Sequence, residues 1–211
     1  MTAARLPRGL YAITPDFDDT ESLAAKVAAA IDGGARAIQF RNKSAPAAVR
    51  RGQAARLALV CKARGALFIV NDDATLARDV AADGVHLGED DGDLAAARAL
   101  LGAQALIGVS CYDDFARAQK LVAQGADHVA FGSFFESAVK PGARRAEVSL
   151  LTQARTLGVP IVAIGGITAD NAPALIRAGT DVIAVISAVF GARDVSAAAA
   201  RLAGLFGAPR A

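Results

Sequence analysis

The chain has 211 residues, of which 54% are hydrophobic and 21% charged, and its formal net charge is +2. This composition excludes intrinsic disorder of the bulk of the chain, which would need low hydrophobicity and high net charge. The near-neutral charge argues against a basic nucleic-acid-binding face. The sequence has no apolar run of a signal peptide and no stretch of the roughly 20 apolar residues that a membrane span requires. With two cysteines, too few for a disulfide framework, we expect a cytoplasmic protein without nucleic-acid or membrane partners.

A short apolar run, a polar or glycine-containing loop and an alanine-rich amphipathic stretch recur along the chain. The apolar runs are rich in Val, Ile and Phe and barely alternate with polar residues, which is typical of strands buried on both faces. In chain order the predicted strands are Leu10–Thr14, Ala37–Arg41, Leu67–Asn71, Gly84–Gly88, Leu106–Cys111, His128–Phe134, Ile161–Gly165 and Val182–Ser187.

The segments between these strands carry signals for helix starts and helix ends. Glycines such as Gly65 and Gly179 follow the alanine-rich stretches, where a helix C-cap is expected. The predicted N-caps are Asp73, Asp93, Asp113 or Asp114, Thr168 and Asp194. Eight strand–helix units in 211 residues leave about 26 residues per unit. This regularity favours a closed (β/α)₈ TIM barrel, an α/β fold, as a single domain over residues 1–211.

Active sites of such barrels lie at the carboxyl ends of the strands and in the loops that follow. Nearly all the unusual polar residues of the chain fall in this layer. They are Thr14 to Asp16, Gln39 to Lys43, Asn71 to Asp73, His86 to Asp91, Ser110, Ser133 to Lys140, Gly165 with Gly166, and Ser187. The pattern predicts a functional site at this end of the barrel.

The loops after the last two strands combine glycines and hydroxyl side chains. Gly165 and Gly166 precede Thr168, and Ile186 is followed by Ser187. Backbone N–H groups at helix N-termini favour phosphate, and these two loops are a frequent phosphate site of the fold. The alternative is that the glycines only permit tight turns and that Thr168 only caps a helix.

Cations and carboxylates follow other strands. Arg41, Lys43 and Lys140 could hold phosphate oxygens. Asp72 and Asp91 follow neighbouring strands and could bind Mg²⁺, which accepts one or two carboxylates together with substrate phosphates. N-capping is the alternative for these carboxylates, although Asp73 and Asp93 are better placed as caps.

The remaining candidates are weaker, and the overall pattern points to phosphorylated substrates. His86 is interpreted as a packed, hydrogen-bonded barrel residue, not a base, and Cys61 and Cys111 as small core residues. No nucleophile motif or general-base motif is present. Two phosphate-binding regions beside a magnesium site predict phosphorylated small-molecule substrates and electrostatic stabilisation of a departing pyrophosphate.

Several stretches together resemble the thiamine-phosphate synthase family over essentially the whole chain. The most specific are Asn71-Asp-Asp73 and His86-Leu-Gly-Glu-Asp-Asp91. The others are Gly9 to Thr14, Gln39 to Lys43, Ile107 to Ser110, Gly125 to Asp127, Pro160 to Thr168 and Val185 to Ala188. The resemblance implies a Mg²⁺-assisted condensation of hydroxymethylpyrimidine diphosphate with hydroxyethylthiazole phosphate. The products are thiamine phosphate and pyrophosphate.

The resemblance also implies residue roles. The pyrimidine diphosphate would be held by Gln39, Arg41, Lys43, Asn71, Ser110 and Lys140. Of these, Arg41, Lys43, Ser110 and Lys140 would act on the departing pyrophosphate. Asp72 and Asp91 would bind Mg²⁺. The thiazole phosphate would be bound by Ser137, Gly165, Gly166, Ile186 and Ser187.

One loop departs from the family pattern. The family commonly has Pro-Thr-x-Thr-Lys after the sixth strand, where this chain has Glu136, Ser137, Ala138, Val139 and Lys140. A glutamate in this loop is similar to thiazole tautomerases of the same fold, which remain an alternative function. A non-catalytic barrel that binds phosphorylated metabolites is a second alternative. The sequence leaves homo-oligomer formation open.

Overall fold

The computed structural model describes residues 6–90, 92–136 and 144–207. In these residues eight parallel strands follow one another around a closed barrel, and the last strand pairs with the first. The strands are β1 (Gly9–Ile13), β2 (Ala35–Phe40), β3 (Leu67–Asn71), β4 (Gly84–Leu87), β5 (Leu106–Tyr112), β6 (His128–Phe131), β7 (Ile161–Ile164) and β8 (Val182–Val185). The predicted (β/α)₈ fold is confirmed.

Helices fill the connections between the strands. They are α1 (Thr20–Asp32), α2 (Ala47–Arg64), α3 (Ala74–Asp79), α4 (Leu94–Leu101), α5 (Phe115–Ala123), α6 (Ser149–Ala154), α7 (Ala172–Ala178), α8 (Ser187–Phe190) and α9 (Val195–Ala203). Short 3₁₀ turns follow α6 at Arg155–Leu157 and α9 at Gly204–Phe206. None of the helices in the described ranges combines the length and apolar character that a membrane crossing requires.

Four of the helix starts predicted from aspartates are confirmed. The carboxylates of Asp73, Asp93, Asp114 and Asp194 each accept a backbone N–H from the first turn of α3, α4, α5 and α9. The expectation for Thr168 is wrong, because α7 begins only at Ala172. The side chain of Asn171 folds back instead and accepts the backbone N–H of Thr168 at 2.8 Å. The glycines after β7 are therefore followed by a loop, not directly by a helix.

The apolar residues form two separate cores, which explains why the strand runs barely alternate. One set of strand side chains fills the barrel interior, where Tyr11 and Ile69 are among the buried members. The other set packs outwards against the helices. Cys61 and Cys111 belong to this outer core, and burial raises the pKa of both thiols to about 12. Both cysteines are thus small core residues, as expected from the sequence.

Three aspartates at the amino ends of strands join the strands in pairs. Asp83, just before β4, accepts the backbone N–H of Phe68 in β3 at 2.7 Å. Asp127 and Asp181 accept in the same way from the N–H of Ile107 in β5 at 2.7 Å and of Ile161 in β7 at 3.0 Å. These carboxylates satisfy strand N–H groups at the end of the barrel opposite the polar layer. In this fold the amino ends of the strands contribute to stability, and the carboxyl ends carry the functional site.

Candidate active site at the carboxyl ends of the strands

Four polar side chains face the barrel axis at the carboxyl ends of consecutive strands. They are Gln39 of β2, Asn71 of β3, His86 of β4 and Ser110 of β5. Their positions follow the alternation of the strands, and Asn71 and His86 lie level with each other in the sheet register. The same level of β7 and the residue after β8 carry Ile164 and Ile186 instead. We call the β2–β5 side the polar half and the β6–β8 side the glycine half.

Gln39 is held from below by a tyrosine of the barrel interior. Its Nε2 donates to the Tyr11 hydroxyl at 2.9 Å, and both side chains are buried. Burial raises the pKa of Tyr11, so this phenol stays protonated. A buried amide with one fixed hydrogen bond has a defined orientation, which suits recognition of a heterocycle edge.

The two cations that follow β2 are organised by β1 and its loop. Thr14 Oγ1 both donates to the carbonyl of Arg41 at 3.0 Å and accepts its N–H at 2.9 Å. Asp16 Oδ1 lies 3.1 Å from the Arg41 guanidinium and accepts the backbone N–H of Lys43 at 3.0 Å. One carboxylate therefore links the Arg41 side chain to the Lys43 backbone at the same rim of the barrel.

Asp72 occupies an unusual backbone position. Its φ is +65°, in the left-handed region that few residues other than glycine, asparagine and aspartate adopt. Its N–H donates to the His86 carbonyl at 2.8 Å, and its carboxylate lies 3.0 Å from Lys43 Nζ. Strained backbone of this kind concentrates at functional sites. Asp73, the next residue, caps α3, so Asp72 is not needed as a helix cap.

Ser110 is connected to the histidine of the neighbouring strand. Its hydroxyl lies 3.0 Å from Nε2 of His86, which is only 7% exposed. The backbone carbonyl of Ser110 accepts the Arg117 Nε–H at 3.0 Å. The interpretation of His86 as a packed, hydrogen-bonded barrel residue is therefore confirmed.

The glycine half contains a cavity of about 280 Å³ between the loops after β7 and β8. Gly165, Gly166, Ile186 and Ser187, which the sequence predicts at the thiazole phosphate, all line it. Within the described lining no lysine or arginine is present. An anion held here would be bound by backbone N–H groups and hydroxyls instead of by charged side chains.

Close packing explains why both residues after β7 are glycines. A Cβ at Gly165 would collide with the Ser133 side chain, and a Cβ at Gly166 would lie 2.8 Å from the Phe135 Cβ. The loop after β6 rests directly on this pair, since Phe135 N–H donates to the Gly165 carbonyl at 3.0 Å. The glycines therefore do more than permit a turn, because they let a second loop form the wall of the cavity.

Three predicted site residues lie outside the described residues. They are Asp91, Ser137 and Lys140. Glu136, at the start of the divergent loop, is described: its carboxylate is 93% exposed and lies 2.9 Å from Arg145. This solvent-facing ion pair differs from the buried setting in which a carboxyl group usually serves acid–base chemistry.

Sequence reasoning missed residues that act on the site from beneath or beside it. Tyr11 sits inside a continuous apolar run, where no pattern separates it from other core residues. Asp16 follows β1, and the sequence indicated only that it lies at the active end of the barrel. Its ion pair with Arg41 was not predicted. His128 begins β6 and is fully buried against Tyr11 and His86. Alternation along the strands could have placed both aromatic side chains inside the barrel.

Comparison with known proteins agrees with this geometry. The model of the thiamine monophosphate synthase family matches residues 10–189. A thiamine-phosphate synthase of Chromobacterium violaceum is 56% identical over 200 residues, covering 95% of this chain and 97% of that protein. One from Azoarcus sp. is 56% identical over 188 residues, covering 89% of this chain and 91% of that protein.

A solved structure gives the same result. The thiamine phosphate pyrophosphorylase of Pyrococcus furiosus superposes with a TM-score of 0.83 at 36% identity, covering 94% of this chain and 95% of the other. The family match, the relatives and the barrel geometry all agree over most of the chain. The chain therefore belongs to the thiamine monophosphate synthase family.

Proposed function

We propose that the two halves of this site divide the work of thiamine-phosphate synthesis, each binding one substrate. The activity itself, that of a transferase of thiamine biosynthesis, follows from family membership and from identities of 56% to relatives of that name. The observation that supports this division is the difference between the residues that line the two halves. Arginine and lysine side chains lie at the rim of one half, whereas the described lining of the other half contains glycines, hydroxyls, apolar side chains and Glu136 but no lysine or arginine.

The polar half is assigned to hydroxymethylpyrimidine diphosphate. Gln39, fixed by Tyr11, and Asn71 present amide groups at the level where the pyrimidine ring would lie. Arg41 and Lys43 at the rim supply positive charge for the diphosphate, since guanidinium and ammonium groups bind phosphate oxygens well. Ser110 adds a hydroxyl beside them, and Lys140 is a further proposed diphosphate ligand.

A magnesium ion fits the carboxylates of this half. Asp72 offers a hard oxygen ligand at the rim, in contact with Lys43, and Asp91 is the second proposed ligand. No cluster of three or more metal-binding side chains exists among residues 6–90, 92–136 and 144–207. One or two carboxylates completed by water and substrate phosphates are nevertheless what Mg²⁺ accepts. When bound, the ion would neutralise negative charge on the diphosphate.

The glycine half is assigned to hydroxyethylthiazole phosphate. The phosphate would be bound by Gly165, Gly166, Ile186 and Ser187 in the cavity, together with Ser137. Backbone N–H groups bind an anion without placing a full positive charge beside it. The cationic diphosphate site and the thiazole site are thereby kept distinct, which disfavours binding of either substrate in the wrong place.

The reaction requires one bond to break and one to form. The bond between the pyrimidine methylene carbon and the diphosphate oxygen breaks, and the bonding pair leaves with the diphosphate. The thiazole ring nitrogen then donates its lone pair to the same carbon. Arg41 and Lys43 stabilise the growing charge of the leaving group, which is electrostatic catalysis without a protein nucleophile. Both substrates would be bound at one mouth of the barrel, which favours their encounter.

The test is a pyrophosphate-release assay with both substrates, with and without Mg²⁺. We expect release to need both substrates and to stop when EDTA removes the metal. Release that continues in EDTA would refute the magnesium site. Isomerisation of a thiazole carboxylate phosphate without pyrophosphate release would favour a tautomerase. Calorimetric binding of either phosphate compound without turnover would favour a non-catalytic barrel.

Cellular setting and assembly are part of the same proposal. The two free, buried cysteines suit a reducing cytoplasm. Both substrates are small phosphorylated molecules, so no macromolecular partner is needed for the reaction. Light scattering of the purified protein over a range of concentrations would establish whether it forms a homo-oligomer.

A further inference from the structure

A fully buried histidine lies beneath the polar half of the site and has no role in the mechanism above. His128 begins β6, faces the barrel interior and has no exposed surface. In the described part of the chain neither of its ring nitrogens has a hydrogen-bond partner. Buried polar atoms are usually paired, because leaving them unpaired costs stability. Any role of the His128 ring must therefore come from its packing contacts and not from a hydrogen bond of its nitrogens.

The contacts of this ring are aromatic. It forms a T-shaped pair with Tyr11, with ring centroids 6.4 Å apart and planes at 78°. It forms a tilted pair with His86, with centroids 5.7 Å apart and planes at 32°. The two histidines come from β4 and β6, which are separated by β5, so side chains at these positions would normally not meet.

A glycine in β5 makes this contact possible. In the sheet register Gly108 lies level with His86 on one side and with His128 on the other. A Cβ at position 108 would collide with the His128 imidazole. The missing side chain thus opens a space across β5 that the His128 ring fills. The next inward-facing residue of β5 is Ser110, directly above this space.

The orientation of the His86 ring decides what the Ser110 hydroxyl can do. The His86 Nε2 atom lies 3.0 Å from Ser110 Oγ. When Nε2 donates its proton to that oxygen, the hydroxyl proton of Ser110 is free to donate to a diphosphate oxygen. A His86 ring turned away from this plane would leave the hydroxyl without that support.

We propose that His128 is a positioning residue for Ser110. Its ring packs against His86 across Gly108 and holds the plane in which His86 bonds the hydroxyl. The inference rests on the proposed contact between Ser110 and the diphosphate, and it adds a residue that touches neither substrate. Because packing carries the effect, a ring without nitrogens should serve nearly as well.

The test compares His128→Ala with His128→Phe in the full-length protein. His128→Ala removes the ring, and we expect kcat/KM for the pyrimidine diphosphate to fall about five- to tenfold, a partial loss of one hydrogen bond to a charged group. His128→Phe keeps a ring and should recover most of that activity. It should also raise the melting temperature, because it removes two unpaired buried nitrogens. The KM for the thiazole phosphate should be unchanged in both variants.

A double-mutant cycle with Ser110→Ala separates this inference from the proposed function. We expect His128→Ala to cost no further activity when Ser110 is already alanine. Equal effects of His128→Ala in both backgrounds, or a fall in activity that follows the melting temperature across both variants, would overturn the inference. If Ser110→Ala leaves turnover unchanged, the assigned role of Ser110 fails. If Ser110→Ala impairs turnover and His128→Ala does not, only the role of His128 fails.

Discussion

The two halves of the barrel mouth present different chemical groups to a bound anion. On the β2–β5 side the groups available are charged side chains: Arg41, Lys43 and Asp72 lie at the rim and are already paired with carboxylate or ammonium partners. On the β6–β8 side the cavity is lined by two glycines, two hydroxyl side chains, apolar side chains and Glu136, with no basic side chain in the described lining.

The two linings should tolerate different substitutions. If the polar half acts through charge, as proposed, a substitution that preserves shape but removes charge should be severe there. If the glycine half depends on the close approach of two loops, an added methyl group should be severe even though no charge changes. The substitutions below test this contrast in order of decreasing expected effect.

Removing the charge of Asp72 should have the largest effect. Asp72→Asn keeps a residue that tolerates φ of +65°, and asparagine is nearly the same size. We expect kcat for pyrophosphate release to fall by about 100-fold or more, as for loss of one preorganised electrostatic group. Thiazole phosphate binding, measured by calorimetry, should be unchanged.

The adjacent aspartate supplies a matched control. Asp73→Asn changes the same charge one residue away, and asparagine is an equally good N-cap for α3. Its turnover should remain close to that of the unmodified protein. Similar losses of turnover in both variants would show that the total negative charge at this rim is important and that Asp72 has no specific role.

In the glycine half, the addition of one methyl group should weaken binding of the thiazole phosphate. In Gly166→Ala the new Cβ would collide with the backbone carbonyl of Glu136, a residue of the cavity lining, and would lie 2.8 Å from the Phe135 Cβ, so the wall of the cavity must move. We expect KM for the thiazole phosphate to rise about tenfold, the typical size of an effect worth 1.4 kcal/mol. The KM for the pyrimidine diphosphate should change little in steady-state assays.

Gly65→Ala controls for backbone strain in that experiment. Gly65 has a φ of +67°, close to the +62° of Gly166, but a Cβ there meets no atom within 4 Å. Gly65→Ala should lose about 1 kcal/mol of stability from the left-handed conformation, and Gly166→Ala should lose more, because its Cβ also collides with the Glu136 carbonyl. Only Gly166→Ala should change KM. Equal KM values for the thiazole phosphate in the two variants would contradict the assignment of that substrate to the glycine half.

Acid should destabilise the protein partly through the histidine beneath the polar half. Burial, with a smaller contribution from His86, lowers the pKa of His128 to about 3. The unfolded chain binds a proton at this residue near pH 6.5, so stability falls as the pH decreases from about 6.5 towards 3, by at most about 1.4 kcal/mol per pH unit. Denaturant titrations of His128→Phe across this range should show a shallower decrease. Parallel curves for the two proteins would contradict the assignment.

Neutralising Asp16 should have the smallest effect. Asp16→Asn weakens the tie between Arg41 and the Lys43 backbone but leaves both cations in place. We expect KM for the pyrimidine diphosphate to rise about threefold, as for an exposed ion pair worth under 1 kcal/mol. Asp18→Asn, a charge change in the same loop, is the control and should leave KM unchanged. A tenfold change for Asp16→Asn would give this residue a direct role in binding.

Periodicity was enough to predict the barrel, because eight doubly buried strands leave a regular signal along the chain. The same periodicity placed the glycines and hydroxyls at the carboxyl ends of the last two strands, and in the structure they line one cavity. Thr168 does not cap α7 because a turn over residues 169–171 separates it from Ala172, where the helix begins, and its hydroxyl accepts the N–H of Asp170 within that turn. Tyr11 and His128 were missed because a polar side chain inside a barrel depends on partners from other strands. Sequence spacing alone does not report such partners.

The aspartates at the amino ends of β4, β6 and β8 suggest how the barrel assembles. Each accepts a hydrogen bond from the preceding strand. The pairs β3–β4, β5–β6 and β7–β8 are therefore two-strand modules, each with an additional side-chain hydrogen bond inside it. Opening within a module should then be rarer than opening between modules. Amide hydrogen exchange of Phe68, Ile107 and Ile161 would read this directly, since these are the N–H groups that the carboxylates hold.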